Sequence, residues 1–168
     1  MHEVILGIDP GTAICGWGII QKNLRPRRTS LGLEKQLELV DYGCIITSKD
    51  SLPATRLLII YKEFKKLIKL YKPIKISIES IFFFKNLKTA VKIAEVRGVI
   101  LLIAAEFKLP IIEVTPLQVK QAVCGYGRAE KIQVQKMVQK LLNLKETPKP
   151  DDAADALAAA IYASFTKV

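Results

Sequence analysis

The sequence predicts an α/β fold in which helices flank a five-stranded mixed sheet. First, three strand-like runs separated by turn residues follow one another near the N-terminus, which is typical of a three-stranded antiparallel meander. Second, helix-like and strand-like segments then alternate, which favours parallel strands added to the same sheet. Third, the chain has 168 residues, 50% of them hydrophobic. That length suits one domain, predicted to span residues 1–168, with a substantial core.

The N-terminal strands are predicted from apolar runs. Residues 4–8 form a buried strand that ends at a Pro-Gly turn, and residues 16–20 form a second strand that returns beside it. Residues 37–47 supply the third strand. The intervening residues 23–32 are polar and basic, so we expect an exposed loop there.

The next segments alternate between helix and strand. Apolar residues recur at helical spacing up to Tyr71, and Pro53 can begin that helix. Isoleucines then alternate with polar residues over 74–79, which predicts a strand with Glu79 on its polar face. The following helix, 87–107, is apolar on more than one side. We expect it to be wholly buried between layers or shared across a dimer.

The C-terminal part is predicted to contain a short strand and three helices. The strand covers residues 111–114, and Thr115-Pro116 is a capping signal for a helix that continues to Val123. A flexible loop over 125–128 separates it from a helix over 129–144. Prolines then break the chain before the last helix, residues 151–165.

The charge balance favours a nucleic-acid partner. Lys and Arg number 26 against 16 Asp and Glu, for a net charge of +10, and such an excess can neutralise phosphates. A basic surface without such a partner is the plainer alternative. Three scattered cysteines and one histidine argue against a zinc site or a Cys-His nucleophile. We expect a cytoplasmic protein without a membrane association, because no apolar run is long enough to span a bilayer.

Four carboxylates, here called the acidic cluster, lie at the margins of core-like segments. Asp9 and Glu79 end strands, while Asp152 and Asp155 share one face at the start of the last helix. Taken alone, three of them have a simpler explanation, which does not easily extend to Asp155, one turn further into its helix. Asp9 belongs to an Asp-Pro-Gly turn, Glu79 could be an edge-strand surface residue, and an acid in a first helical turn interacts favourably with the helix dipole.

Their joint occurrence predicts a divalent-metal site. Oxygen ligands without His or Cys select Mg²⁺, with Mn²⁺ as a substitute. Two such ions roughly 3.5–4 Å apart can activate a water and stabilise the leaving oxygen of a phosphodiester. The residues alone leave open whether one or two ions bind per subunit.

Sequence motifs in a fixed order span nearly the whole chain. They are Gly7-Ile8-Asp9-Pro10-Gly11-Thr12 with Gly16-Trp17-Gly18, then Ile78-Glu79-Ser80-Ile81-Phe82, Gln118-Val119-Lys120-Gln121, Ala129-Glu130-Lys131 and Asp152-Ala153-Ala154-Asp155-Ala156-Leu157. Together they closely resemble the RuvC-type Holliday-junction resolvases. The resemblance implies an RNase H-like fold, a homodimer, Mg²⁺ dependence and paired symmetrical nicks across four-way junction DNA. It also implies cooperation with a RuvA–RuvB branch-migration complex.

The resemblance also assigns roles to residues. It makes the acidic cluster the catalytic, metal-binding carboxylates, matches Lys120 and Lys131 to basic residues near the site, and matches Phe82 to an aromatic residue at the junction centre. Aromatics such as Phe82 are more often core residues. Lys85 and Arg128 are further candidates for DNA contact.

Two features depart from the family pattern. The basic segment 25–32 is longer than the usual turn, so its side chains make extra DNA contacts or none. Asp151 adds a neighbouring acid, which leaves the choice between Asp151 and Asp152 open, although the three-residue spacing to Asp155 favours Asp152.

Two other functions remain as alternatives. One is a catalytically inactive module that binds junction DNA, against which the intact acidic cluster argues. The other is a fragment of an actin-like ATPase or sugar kinase, because Gly-Ile-Asp-Pro-Gly-Thr also resembles the phosphate loop of that superfamily. A chain of 168 residues has no room for the second domain and second phosphate loop that those enzymes need.

Overall fold

The structure is a computed structural model that describes residues 2–25, 36–80 and 87–166, together with the backbone of residues 28–29 and 32–33. The strands in this part of the chain are β1 (His2–Asp9), β2 (Ile14–Asn23), β3 (Arg28–Thr29), β4 (Gly32–Leu33), β5 (Leu37–Ile46), β6 (Lys75–Glu79) and β7 (Ile111–Val114). The helices are α1 (Pro53–Tyr71), α2 (Leu87–Glu106), α3 (Pro116–Cys124), α4 (Lys131–Leu141) and α5 (Asp151–Phe165).

The main sheet has five strands in the order β5-β2-β1-β6-β7. β2 pairs antiparallel with both β1 and β5, whereas β6 pairs parallel with both β1 and β7. The predicted mixed sheet, a meander extended by parallel strands, is therefore confirmed. Because β1, β6 and β7 are parallel, their C-terminal ends meet at one edge of the sheet.

Helices cover both faces of this sheet. On one face, α1 and α2 pack against alternate strand residues, and Phe64 and Ile100 belong to the same buried core as Ile8 and Ile78. On the other face, α5 lies on β1 and β2, and α3 and α4 flank it. Alternation along each strand thus divides the side chains between two cores.

Small residues allow α5 to lie directly on the sheet. A Cβ atom added to Gly7 would stand 2.0 Å from the carbonyl oxygen of Ala156, and one added to Gly16 would stand 2.0 Å from the carbonyl oxygen of Asp152. Any side chain at either glycine would therefore push the helix away. The alanine-rich composition of α5 allows this close contact, which brings the first turn of the helix to the end of β1.

The structure shows the exposure of β6 and α2, and for α2 it excludes one of the two predicted alternatives. The polar face predicted for β6 is not a solvent face, because α5 covers it and Lys75 and Ser77 are buried. The helix α2 is not wholly buried, since the side chains of Leu87 and Leu102 are 78% and 62% exposed. The apolar residues of α2 exceed what one sheet face and α1 can cover.

The segment predicted as a loop over 23–32 contains paired backbone. β2 continues to Asn23, and the short strands β3 and β4 pair antiparallel with each other. Backbone hydrogen bonds do not depend on side-chain polarity, so a basic composition is compatible with this pairing. The side chains of residues 26–35 lie outside the described part of the chain, and the prediction about their DNA contacts stays a prediction.

None of the described helices has the length and apolar content needed to cross a membrane. Cys15, Cys44 and Cys124 are free thiols.

Candidate active site

Asp9 and Glu79 lie side by side at the C-terminal ends of adjacent parallel strands. The register pairs Ile8 of β1 with Ile78 of β6, and each acid is the next residue along its strand. Alternation directs both carboxylates to the face that α5 covers. The edge-strand explanation for Glu79 is wrong, because β6 lies between β1 and β7.

The first turns of α5 bring two further carboxylates to the same place. Asp9 pairs across the sheet with Gly16, and the backbone of Asp152 rests on that glycine. Asp155 lies one turn further along the helix. The four members of the acidic cluster, drawn from three distant segments, therefore converge at one edge of the sheet.

The electrostatics of Asp9 follow from this convergence. Burial, and then the negative charges of Glu79, Asp155 and Asp152, raise the pKa of Asp9 from 3.8 to about 7. Burial also raises the pKa of the Glu79 carboxyl, and the neighbouring charge of Asp155 raises it further. The fold thus holds carboxylates together in a place that disfavours their ionisation.

One cation partly offsets this negative charge. The Nζ atom of Lys131, the first residue of α4, lies 3.1 Å from Oδ2 of Asp155 and 3.3 Å from Oδ2 of Asp151. Burial nevertheless outweighs the hydrogen bond from Lys131, so the pKa of Asp155 remains raised.

Asp151 and Asp152 face different surroundings. Asp151 accepts a hydrogen bond of 3.0 Å from Nε2 of Gln135 on α4, and the hydrogen bond from Lys131 lowers its pKa. Asp152, in contrast, is among the charges that raise the pKa of Asp9. This arrangement favours Asp152 as the member of the acidic cluster and leaves Asp151 as a surface partner of α4.

The acidic cluster fits a divalent metal ion by the chemistry of its donors. All four side chains offer carboxylate oxygens, the ligands that Mg²⁺ and Mn²⁺ accept, and a cation would relieve the repulsion that raises the pKa of Asp9. Within residues 2–25, 36–80 and 87–166, however, no group of three or more His, Cys, Asp or Glu side chains is already arranged to hold one ion. Binding of one ion by several of these carboxylates would therefore need changes in their side-chain rotamers.

A cleft of about 240 Å³ adjoins the cluster. Glu79 and Asp155 line it together with Lys120 of α3 and Lys131. The capping box at Thr115 fixes the start of α3 and so the direction from which Lys120 approaches. Two predicted basic residues therefore border the same cleft as two members of the acidic cluster.

The described cleft does not include the remaining predicted DNA contacts. Arg128 is exposed in the loop between α3 and α4 and is not among the residues that line the cleft. Phe82 and Lys85 fall within residues 81–86, outside the described part of the chain. Their roles stay predictions from the sequence.

Sequence reasoning missed Arg97. This arginine is buried in the middle of α2, and its Nη1 donates a hydrogen bond to the backbone carbonyl oxygen of Glu79. The available signal was a charged residue within an unusually apolar helix.

Comparison with known proteins agrees with the family resemblance of the sequence motifs. The family model described as crossover junction endodeoxyribonuclease RuvC matches residues 5–163. The chain is 51% identical over 158 residues to the RuvC of Caldicellulosiruptor saccharolyticus, covering 94% of this chain and 89% of that relative. It is 50% identical over 157 residues to the RuvC of Fusobacterium nucleatum subsp. nucleatum, covering 94% and 77%. Both relatives carry the description crossover junction endodeoxyribonuclease.

A solved structure extends the agreement to the fold. T. thermophilus RuvC in complex with Holliday junction substrate superposes with a TM-score of 0.85 at 32% identity, covering 97% of this chain and 93% of that one. The RNase H-like fold that the motifs implied is confirmed.

Proposed function

The chain belongs to the RuvC family of crossover junction endodeoxyribonucleases, and we propose that it resolves four-way DNA junctions by symmetrical, Mg²⁺-dependent nicking of two strands at the acidic cluster. Membership of the family makes it a metal-dependent hydrolase of DNA phosphodiester bonds. The observation that carries the proposal is the convergence of the four carboxylates at one edge of the sheet in a chain of net charge +10, where burial and the neighbouring negative charges raise the pKa of Asp9 to about 7. Such a shift is typical of a functional site.

The four carboxylates would hold the ions. When bound, one or two Mg²⁺ ions would supply an activated water and stabilise the leaving oxygen of the phosphodiester. Mn²⁺ has the same preference for carboxylate oxygens and should substitute. The chain's own contribution is to hold the donors in place on two strand ends and one helix turn, all of which are anchored in the core.

Lys131 and Lys120 are our candidates for contact with the scissile phosphate. Both border the cleft that Glu79 and Asp155 line, and Lys131 already pairs with Asp155 at 3.1 Å. If Asp155 were bound to a cation, the Lys131 ammonium would be available to pair with a phosphate oxygen. Lys120 adds a second positive charge, which offsets the repulsion between the DNA backbone and the cluster. Arg128 would contact the backbone beyond the cleft.

The exposed face of α2 supports a homodimer. Its apolar residues recur at three- and four-residue spacing, and a Cβ atom added at Gly98 would meet nothing within 4 Å. The residues of this face, here called the α2 stripe, are Leu87, Val91, Ala94, Gly98, Leu101, Leu102 and Ala105. A second copy of the chain is the occupant that we propose, because a two-fold pair of active sites matches the two equivalent strands of a four-way junction. Partnership with RuvA–RuvB and a cytoplasmic location are proposed from family membership alone.

The test is cleavage of a labelled synthetic four-way junction, with and without Mg²⁺. We expect the parent protein to make paired nicks only with the metal, and Glu79→Gln to bind the junction but not to cleave it. Glu38→Gln is the matched control, since Glu38 is an exposed glutamate near the start of β5, away from the cluster. Near-parental nicking by Glu79→Gln would contradict the assignment of the site. Junction binding without nicks by the parent would favour the inactive binding module.

A further inference from the structure

Arg97 is an unusual residue for its position. It lies in the middle of α2 and is only 8% exposed. Its neighbours Val96 and Ile100 belong to the apolar core between the sheet and the α1–α2 layer. Placing a charge there is costly unless the charge is paired and hydrogen-bonded.

The guanidinium has two partners at the end of the sheet. Nη1 donates to the carbonyl oxygen of Glu79, and Nη2 lies 2.9 Å from Oε2 of Glu113 on β7. The Glu113 side chain is 53% exposed, and ion pairs with exposed partners contribute little to stability. The hydrogen bond to the Glu79 carbonyl is therefore the contact that favours a guanidinium over an apolar side chain at this position.

That contact completes the restraint on the main chain at Glu79. From the β7 side, Glu79 is in register with Val114, and the backbone N–H of Ser80 donates to the Val114 carbonyl at 2.8 Å. From the α2 side, Arg97 holds the carbonyl of Glu79 itself. Beyond this point the chain leaves the sheet, so these bonds fix the last residue of β6.

Arg97 acts from the far side of the sheet. Glu113 is in register with Ile78, whose side chain belongs to the core under α2, whereas the Glu79 carboxylate points to the face that α5 covers. The guanidinium is therefore separated from the acidic cluster by the sheet. It can affect the Glu79 carboxylate only through the backbone from which that side chain projects.

We propose that Arg97 is a positioning residue, which anchors the carbonyl of Glu79 from the opposite face of the sheet and so orients the Glu79 carboxylate for cleavage. This inference rests on the proposed role of Glu79 in the active site. A misplacement of about 1 Å can reduce a catalysed rate by about 100-fold. Loss of the anchor should therefore slow cleavage without weakening the binding of junction DNA.

The experiment measures single-turnover cleavage of a pre-bound four-way junction, started by Mg²⁺ below the unfolding temperature of every variant. We expect Arg97→Met to cleave roughly 10- to 100-fold more slowly at unchanged junction affinity. Arg97→Lys should recover part of the rate, because one ammonium can reach the Glu79 carbonyl but cannot reproduce the two-armed contact.

Lys75→Met is the matched control. Lys75 is a cation that is only 4% exposed, at the opposite end of the same strand, and its Nζ donates to the carbonyl of Thr166 at 2.8 Å. We expect this variant to lose stability but to cleave at the parental rate. A comparable rate loss in Lys75→Met would overturn the proposal, because any buried cation would then have the same effect.

The remaining outcomes distinguish a failure of the positioning role of Arg97 from a failure of the proposed active site. A parental rate for Arg97→Met, with Glu79→Gln inactive in the same series, overturns the positioning role alone. A parental rate for Glu79→Gln overturns the site and the positioning role together. If Arg97→Met does not fold, Arg97→Lys decides, and a parental rate for that variant overturns the proposal.

Discussion

Replacing Asp9 with asparagine should make the metal-free protein more stable at alkaline pH. The fold raises the pKa of Asp9 from 3.8 to about 7, so the folded state binds this proton more tightly than the unfolded chain does. Stability is therefore lost as the pH rises from about 4 to about 7 and stays low above that range. At about 1.4 kcal/mol per pH unit, the raised pKa of Asp9 lowers the free energy of unfolding at pH 8 by about 4 kcal/mol. Asparagine cannot ionise and avoids this cost.

The assay is thermal unfolding followed by circular dichroism, in EDTA at pH 5 and pH 8. For a domain of this size, about 4 kcal/mol corresponds to a rise of roughly 10 °C in Tm. We expect the Tm of Asp9→Asn to exceed that of the parent by up to that amount at pH 8 and by much less at pH 5. Mg²⁺ should raise the Tm of the parent and narrow the difference, because a bound cation stabilises ionised Asp9.

Asp50→Asn is the control, since Asp50 is an exposed aspartate in the turn after β5. It removes the same formal charge and should leave the Tm unchanged at both values of pH. A variant Asp9→Asn that is less stable than the parent at pH 8, or a difference that does not depend on pH, would refute the electrostatic account of the cluster.

Local signals in the sequence were sufficient for most elements of the fold. Thr115-Pro116 predicted a helix start, and in the structure Pro116 begins α3 while the Thr115 side chain accepts a hydrogen bond from the backbone N–H of Gln118. The last helix has the predicted bounds, Asp151–Phe165. In both cases the determining interactions lie within a few residues along the chain, so the local sequence contains them.

Burial was harder to predict, because it depends on what packs on each face. The alternation in β6 showed correctly that Lys75, Ser77 and Glu79 share one face. It could not show that α5 covers this face, because α5 lies about seventy residues later in the chain. The polar face that the pattern predicted therefore lies in a core with a buried lysine, which the local sequence could not show.

The acidic cluster, in contrast, could be predicted from the sequence. Carboxylates at the ends of buried strands need a partner or a function, and their residue type marks them in the sequence. The choice between Asp151 and Asp152 needed the position of α4, which pairs Lys131 and Gln135 with Asp151. The sequence marks Arg97 as a charged residue in an apolar helix but could not show its partner, because that partner is a backbone carbonyl, which every residue has.

Two further predictions concern the surface. Lys120→Ala should weaken junction binding and make the dependence of its affinity on salt shallower by about one counterion. Lys136 is an exposed lysine of α4 outside the cleft, so Lys136→Ala should leave this salt dependence unchanged. Equal salt dependence for Lys120→Ala and the parent would show that Lys120 does not contact a phosphate. The last prediction is that Leu102→Lys converts a dimer into a monomer, as measured by light scattering. Leu102 belongs to the α2 stripe, so a two-fold interface there would bring two introduced ammonium groups together in an apolar contact, where unpaired charges are strongly unfavourable. Leu70→Lys is the control, because Leu70 is 68% exposed on α1 and lies outside the stripe. A monomeric parent, or a Leu102→Lys protein that remains dimeric, would show that the α2 stripe does not join two copies of the chain.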